Sequence, residues 1–291
     1  MSHQPHGAIP LLVTPAWLAA RLHWDHVVVL DATVLLDFPP DGPYTARSGY
    51  EGFLAEHLPG AVFADLLTEL SEPSAPALFT VPTANRFAVA AGALGVGRGR
   101  LVVVYDRGGN AWATRMWWLL RLFGFDDVAV LDGGLSAWRL ANHPVEPGPV
   151  RARPATFSPH LRPDLLADAE EVQHLSDGHG CLVLTLDEVT FRGEGPSRYA
   201  RPGRIPGSKH LPSSSLLDPG TGRFLPAEEL RHVLASGGVL DAPRAVSYCG
   251  AGISATVVAF AAAVAGRPDV AVYDGSLAEW AADPARPLVT G

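Results

Sequence analysis

The sequence predicts an α/β protein made of two tandem domains, each a parallel sheet flanked by helices. Short β-branched strands alternate with helical segments, and a stretch of the first half of the chain recurs in the second half. Alternation of this kind is typical of parallel sheets that helices cover on both faces. The chain has 291 residues, of which 47% are hydrophobic, so two such domains can each bury a core.

The repeat is clearest when residues 102–138 are compared with residues 245–280. The first stretch reads VVVYDRGGNAWATRMWWLLRLFGFDDVAVLDGGLSAW, and the second reads AVSYCGAGISATVVAFAAAVAGRPDVAVYDGSLAEW. Earlier in each half, HLPGAVFADLL at 57–67 echoes RIPGSKHLPSSSL at 204–216. Repetition in the same order indicates two copies of one domain rather than one domain with insertions.

A proline-rich stretch is expected to join the two copies. Residues 144–160 show neither helical nor strand periodicity, which is typical of a linker. The first domain is therefore predicted to cover residues 8–143, and the second to cover residues 161–291.

The first copy shows its elements in order along the chain. Runs of β-branched and apolar residues predict buried strands at 27–30, 101–105 and 128–131. The intervening patterns predict helices at 81–94 and 113–123.

The second copy places a cysteine where a strand ends. Residues 245–248 are predicted to form a strand and residues 255–264 a helix, which ends at Gly266. Ligands of parallel α/β sheets bind beyond the carboxyl ends of the strands, so Cys249 is a candidate functional residue. The helix is apolar on every side, which indicates burial and says nothing about chemistry.

The loop after this cysteine has the composition of an anion-binding turn. It consists of Gly250, Ala251, Gly252, Ile253 and Ser254. The two glycines let the backbone close around the sulfur, and the loop N–H groups with the helix N-terminus would stabilise a thiolate. The alternative is a buried, inert thiol, a common state for free cysteine.

Phosphatases and arsenate reductases use a similar loop, but they need an arginine to hold the oxyanion. Six residues after the cysteine, where that arginine is expected, the chain has Ala255, and residues 250–255 carry no charge. Phosphoryl chemistry is therefore disfavoured. A ring of uncharged amides suits a persulfide, which carries at most one negative charge.

These motifs together resemble the tandem-domain rhodanese family, the thiosulfate and 3-mercaptopyruvate sulfurtransferases. The resemblance rests on HLPGAVF, VVVYD, LDGGLSAW, CGAGISA and VYDGSLAEW, and it runs from about residue 11 to residue 290. It implies two rhodanese-like domains of which the first is catalytically silent, and Asp106 stands where the second copy has Cys249. It also implies a Cys249 persulfide that takes sulfur from a small donor and passes it to a thiol or cyanide, with no metal or cofactor.

The loop resembles that of the mercaptopyruvate branch, Cys-Gly-Ser-Gly-Val-Thr, more than that of the thiosulfate branch, which carries Arg-Lys after the cysteine. Ala251 replaces the serine and Ser254 replaces the threonine of that pattern. Hydrogen-bonding or proton-relay capacity is therefore missing at position 251.

Arginines of the second domain hold the substrate carboxylate in this family. Arg201 matches one expected position by its spacing to the Ile-Pro-Gly motif at 205–207, whereas Thr190 stands where another arginine is expected. Arg192 and Arg198 are candidates to substitute for it, and a solvated loop charge is the alternative for all three. This altered region leaves open a second hypothesis, a weakly active rhodanese-fold module that binds a partner or an anion.

Other conspicuous residues are assigned to packing or left open. Cys181 opens a predicted strand and is expected to be buried, and Trp112, Trp117 and Trp118 are expected in the core and between the domains. His57 either faces the interdomain cleft or caps a turn.

Composition restricts the partners and the compartment. A formal charge of −8 argues against nucleic acid, and two distant cysteines imply neither a disulfide framework nor zinc, so a reducing cytoplasm is expected. The N-terminus lacks a basic region, and the longest apolar stretch, 257–266, is half a membrane span, so neither a signal peptide nor a membrane segment is expected. A thioredoxin-like protein is a candidate sulfur acceptor.

Overall fold

The computed structural model describes residues 9–39 and 44–291, and most of its strands form two five-stranded parallel sheets, one from each copy. The predicted start of the first domain, residue 8, and the rest of the sequence before it lie outside the described residues. Among the residues that are described, no helix has both the length and the apolar composition that crossing a bilayer requires.

The first half contains seven strands and five helices within its described residues. The strands are β1 (Leu12–Val13), β2 (Val27–Asp31), β3 (Val34–Asp37), β4 (Thr45–Ser48), β5 (Val62–Phe63), β6 (Leu101–Tyr105) and β7 (Val128–Leu131). The helices are α1 (Pro15–Ala19), α2 (Tyr50–Ala55), α3 (Ala84–Ala93), α4 (Ala111–Leu122) and α5 (Gly134–Leu140).

The second half adds five strands and five α-helices. The strands are β8 (Leu166–Ala167), β9 (Cys181–Leu184), β10 (Lys209–His210), β11 (Ala245–Tyr248) and β12 (Ala271–Tyr273). The helices are α6 (Ala169–His174), α7 (Glu188–Arg192), α8 (Ala227–Ser236), α9 (Ser254–Val264) and α10 (Ser276–Trp280). Short 3-10 turns lie at Pro163–Leu165 and Ser213–Leu216, and a π turn lies at Leu175–His179.

The two sheets have the same strand order, which confirms the duplicated α/β fold. The first runs β1-β7-β6-β2-β5, and the second, read from β8, runs β8-β12-β11-β9-β10. All pairings within both sheets are parallel. β6 and β11 are central in their sheets, so the loops that follow them are equivalent.

Equivalent helices of the two copies pack against each other across the interface. The Thr114 hydroxyl of α4 lies 2.9 Å from the Thr256 hydroxyl of α9, and the rings of Trp117 and Phe260 meet edge to face. Contact between equivalent residues, as between Thr114 and Thr256, is expected of two copies related by an approximate twofold axis. One apolar core then continues from the inner face of one sheet to that of the other.

The first copy differs from the second by an antiparallel hairpin. β3 and β4 pair between β2 and α2, outside the main sheet. The residues that follow β3 and precede β4 include Phe38 and Tyr44, which reach the interdomain surface.

The sequence-based helix bounds were accurate to within three residues. α3 begins at Ala84 rather than at 81 because Pro82 favours an extended Val81, and the Thr83 hydroxyl then accepts the Arg86 N–H as an N-cap. α4 begins two residues before the predicted start, and α9 one residue before it.

Residues 144–160, for which a linker is predicted, contain no helix, and Glu146 makes an isolated bridge with His57. The segment lies along the first domain: Ala155 N–H donates to the Gly92 carbonyl of α3 at 2.9 Å. A side chain at position 92 would come within 2.7 Å of the Ala155 carbonyl, so the close approach requires glycine.

Candidate active site

Cys249 follows the last residue of β11, at the carboxyl end of the central strand of the second sheet. The residue is 2% exposed, and it forms part of the wall of a cavity of about 220 Å³ between the two copies. The strand ends there because Gly250 to Ile253 turn the chain into the first turn of α9.

A buried serine holds the shape of this loop. The Ser276 hydroxyl accepts hydrogen bonds from the N–H groups of Cys249 (3.0 Å) and Gly252 (3.1 Å), and it donates to the Tyr273 carbonyl (2.7 Å). Ser276 has φ of +50°, a backbone conformation that costs energy for any residue other than glycine. The surrounding packing maintains this strained conformation, in which the Ser276 hydroxyl positions the backbone of Cys249.

Three other N–H groups of this loop have no acceptor in the described structure. Among the described residues, the N–H groups of Gly250, Ala251 and Ile253 donate to no protein acceptor. They belong to the turn that follows the cysteine and opens α9, where N–H groups and the helix dipole favour an anion. The loop can therefore bind a negatively charged sulfur.

The equivalent loop of the first copy is occupied by its own side chain. The Asp106 carboxylate accepts hydrogen bonds from the N–H groups of Gly108 (2.9 Å), Trp112 (3.0 Å) and Ala113 (3.2 Å). Burial raises the pKa of Asp106 to about 6, although these three hydrogen bonds favour the charged form. The carboxylate fills the space that a substrate anion would need.

The first domain also holds the cysteine loop in place. Arg115 of α4 donates to the Gly252 carbonyl at 3.1 Å and pairs with Asp274 at 2.7 Å. It also donates to the carbonyl of Phe79, whose φ is +65° and whose ring lines the cavity. Asp274 in turn accepts the Val81 N–H at 2.8 Å, so both domains fix the loop.

The cavity is lined mainly by apolar and aromatic groups of both domains. The first domain contributes Leu36, Phe38, Tyr44, Phe79, Ala111 and Trp112. The second contributes Leu186 and Tyr199 besides Cys249 and four of the five loop residues. Gly252 is the loop residue that does not line it. No charged side chain occurs among the described residues of this lining.

Two phenols stand beside the thiol. A side chain at position 250 would overlap the Tyr199 hydroxyl, so this hydroxyl lies directly on the loop. Burial raises the pKa of Tyr199 above its ordinary value, and the nearby Cys249 thiolate raises it further. Burial and the same thiolate raise the pKa of Tyr44 to about 12. Both phenols therefore stay protonated at neutral pH.

Arg201, which sequence spacing ranked first for carboxylate binding, is engaged elsewhere. Its guanidinium donates to the backbone carbonyls of Trp280, Ala281, Asp283 and Arg286 at 2.6–3.3 Å. It does not line the cavity at Cys249. These hydrogen bonds hold the C-terminal segment in place, and the contact of Arg201 with substrate stays a prediction.

The other two arginines differ in their placement. Arg192 is half exposed and pairs with Glu188 and Glu194, outside the cavity. Arg198 lines a second cavity of about 410 Å³, which shares Phe38, Leu186 and Tyr199 with the cavity at Cys249. The Arg198 guanidinium lies 5.0 Å from the centre of the Phe38 ring and donates to the Pro39 carbonyl. Of the three arginines, Arg198 alone lines a cavity that adjoins the one at Cys249.

The remaining candidate residues are buried, and one of them also lines the cavity at Cys249. Cys181 is 3% exposed and opens β9, as predicted, and burial raises its pKa. His57 is buried against Phe53 of the first domain and faces Glu146 of the predicted linker, so it does not line the cavity at Cys249. Trp112 lines the cavity as well as packing against Phe79.

Sequence reasoning missed Tyr199, Tyr44, Ser276 and the Arg115–Asp274 pair. Tyr199 and Tyr44 carry no motif, and they reach the site only through the long connection after β9 and the hairpin of the first domain. Ser276 did have a signal, since it follows the repeated Asp-Gly at 274–275 where the first copy has Gly134.

Comparison with known proteins identifies the family of the two domains. The family model for the rhodanese-like domain matches residues 14–141 and 170–283. A probable 3-mercaptopyruvate sulfurtransferase of Pseudomonas aeruginosa is 37% identical over 96% of this chain and 98% of its own length. A putative thiosulfate sulfurtransferase, SseB, of Mycobacterium tuberculosis is 35% identical over 97% of both chains. The crystal structure of SseA from Escherichia coli, described as a 3-mercaptopyruvate sulfotransferase, has a TM-score of 0.80 at 29% identity and covers 92% of this chain and 99% of its own.

Proposed function

Since the chain belongs to the rhodanese family, with two copies of its domain, we propose that it is a sulfurtransferase whose nucleophile is Cys249. One observation carries the assignment of the site. The first-domain loop is filled by the Asp106 carboxylate, whereas the second-domain loop surrounds Cys249 with N–H groups that have no acceptor among the described residues. A persulfide anion on Cys249 is the acceptor that completes this second loop.

The reaction has two half-reactions. The Cys249 thiolate attacks the transferable sulfur of a donor, a sulfur–sulfur bond forms, and the bond between that sulfur and the rest of the donor breaks. The leaving group is sulfite from thiosulfate or the enolate of pyruvate from 3-mercaptopyruvate. An acceptor thiolate or cyanide then attacks the outer sulfur and releases the Cys249 thiolate. The N–H groups of Gly250, Ala251 and Ile253 stabilise the bound persulfide.

We propose 3-mercaptopyruvate as the preferred donor. The loop 250–254 contains no cation, so it is suited to a single negative charge rather than to the thiosulfate dianion. Arg198 is the candidate to attract the donor carboxylate, because it lies beside the cavity that contains the thiol and makes no ion pair among the described residues. Arg201 and Arg192 are engaged by backbone carbonyls and by glutamates.

We further propose a thiol acceptor in a reducing cytoplasm. Both cysteines are free and buried, which fits a compartment where thiols stay reduced. A thioredoxin-like dithiol or a small thiol can remove the outer sulfur, and cyanide can replace it in the test tube.

The intact mass of the protein after incubation with 3-mercaptopyruvate or thiosulfate tests the proposal. Wild type and Cys181→Ser are expected to gain one sulfur atom, about 32 Da, which a thiol acceptor removes again. Cys249→Ser is expected to gain none and to lose turnover while keeping its fold. Absence of added sulfur from wild type with both donors would favour the binding-module hypothesis instead.

A further inference from the structure

The proposed transfer from 3-mercaptopyruvate needs a proton that the cysteine loop cannot supply. When the carbon–sulfur bond breaks, its electron pair goes to the methylene carbon, which must be protonated to give pyruvate. Position 251, the second residue of the loop, is an alanine, and the Ser254 hydroxyl lies 2.8 Å from that of Thr185. Thiosulfate makes no such demand, because sulfite leaves as a stable anion.

We propose that the Tyr199 hydroxyl is the proton donor to the leaving group at Cys249, and therefore a catalytic residue of this chain. The inference rests on the proposed function and assigns the acid that the function requires.

The position of Tyr199 carries the argument. Its ring lines the cavity together with Cys249, and its hydroxyl lies against Gly250, the residue next to the nucleophile. That contact allows no side chain at position 250. Within the described parts of the chain the hydroxyl has no hydrogen-bond partner, so its proton is available to a molecule in the cavity.

The rest of the cavity offers no comparable acid. Among its described residues no carboxylic acid, histidine, lysine or arginine lines the wall, and the indole N–H of Trp112 does not transfer protons at neutral pH. Tyr44 is the one other phenol in that lining, and it comes from the hairpin of the first domain, whereas the Tyr199 hydroxyl lies against Gly250 of the cysteine loop. Because burial keeps Tyr199 protonated, the acid form is present throughout the physiological pH range.

The step balances without an external reagent. The Cys249 thiolate forms a bond to the donor sulfur, and the carbon–sulfur bond breaks toward carbon. The carbanion, as the pyruvate enolate, takes the Tyr199 proton. The resulting phenolate takes the proton of the new persulfide, which came from the donor thiol. Pyruvate leaves, and the persulfide remains as an anion in the loop.

The test compares Tyr199→Phe with wild type in single-turnover experiments that follow the mass of the protein. Loading from 3-mercaptopyruvate is expected to slow by about 100-fold, the usual contribution of a general acid. Loading from thiosulfate, and unloading of the persulfide to a small thiol, are expected to stay within about twofold, because neither protonates carbon. Both half-reactions are measured on the same variant, so a general loss of folding cannot imitate the result.

Two matched variants complete the experiment. Tyr248→Phe removes a buried phenol that bonds to Ile205 and Ser208, and it is expected to affect both half-reactions alike. Tyr44→Phe removes the second phenol of the cavity. Equal slowing of all steps in Tyr199→Phe, no slowing at all, or selective slowing in Tyr44→Phe alone would overturn the assignment. Failure of wild type to acquire sulfur from either donor would instead refute the proposed function.

Discussion

Arg115 of the first domain and Asp274 of the second form an ion pair of 2.7 Å in which the arginine side chain is 2% exposed and the aspartate 11% exposed. The same guanidinium donates to the carbonyl of Gly252 in the cysteine loop and to the carbonyl of Phe79, which lines the cavity from the first domain. A residue outside the nucleophile's own domain therefore determines the shape of the nucleophile's loop. The first domain lacks a cysteine at its strand end, yet the site depends on it.

Removing this arginine is expected to destabilise the protein strongly. Arg115→Met leaves the Asp274 carboxylate buried without its partner, and breaking a buried ion pair in this way costs about 3–5 kcal/mol. Urea denaturation gives the free energy of unfolding. Arg153→Met is the control, because Arg153 and Asp25 form an exposed ion pair that contributes less than about 1 kcal/mol. Similar small losses in both variants would contradict the role of the buried pair.

Arg198→Ala is expected to lower the catalytic efficiency with 3-mercaptopyruvate. The variant loses the charge that lies beside the cavity, and one charge-assisted hydrogen bond contributes about 1.5–3 kcal/mol, or roughly ten- to a hundredfold in kcat/KM. Steady-state kinetics of pyruvate release measures the effect. The melting temperature should hardly change, because the side chain is exposed. An efficiency within about twofold of wild type, well under 1 kcal/mol, would exclude Arg198 from substrate binding.

Arg201→Ala is expected to act on stability instead. Its guanidinium donates hydrogen bonds to four carbonyls of the segment from Trp280 to Arg286. Loss of these hydrogen bonds should lower the melting temperature measured by circular dichroism. The KM for 3-mercaptopyruvate should stay close to that of wild type. A raised KM with an unchanged melting temperature would restore Arg201 as a substrate ligand.

Asp106 is expected to make stability depend on pH in an unusual direction. Burial raises its pKa in the folded protein to about 6 from 3.8, so between these values the folded state binds more protons than the unfolded state. The stability that this proton binding contributes is fully present below the pKa of Asp106 in the unfolded chain. It is lost as pH rises through the pKa of Asp106 in the folded protein. A shift of about two pKa units corresponds to about 3 kcal/mol.

The measurement is the difference in free energy of unfolding between wild type and Asp106→Asn, followed from about pH 4 to about pH 7. This difference should fall with rising pH. Asp37→Asn is the control and should give a nearly flat profile, because a hydrogen bond from Arg47 lowers the pKa of Asp37 and its contribution is lost only as pH falls below the unfolded value of 3.8. A flat profile for Asp106→Asn would show that burial does not raise its pKa.

The sequence by itself determined the duplicated α/β architecture and the place of Cys249 in it. Strand periodicity, helix termination and the repeated Asp-Gly motif are local properties, so β6, β7, α9 and their register could be predicted from neighbouring residues alone. The loop 250–254 follows from the same local reasoning, because glycine permits the positive φ that Gly252 adopts in the tight turn from strand to helix.

Only the tertiary structure decided which side chains meet the nucleophile. Arg201 satisfies the family spacing, but backbone carbonyls more than 75 residues later in the chain compete for its guanidinium. Tyr199 and Tyr44 come from connections in different domains, and nothing near them in the sequence indicates that their hydroxyls share a cavity with Cys249. Side-chain placement depends on long-range packing and on competition for hydrogen bonds, and neither leaves a periodic pattern in the chain.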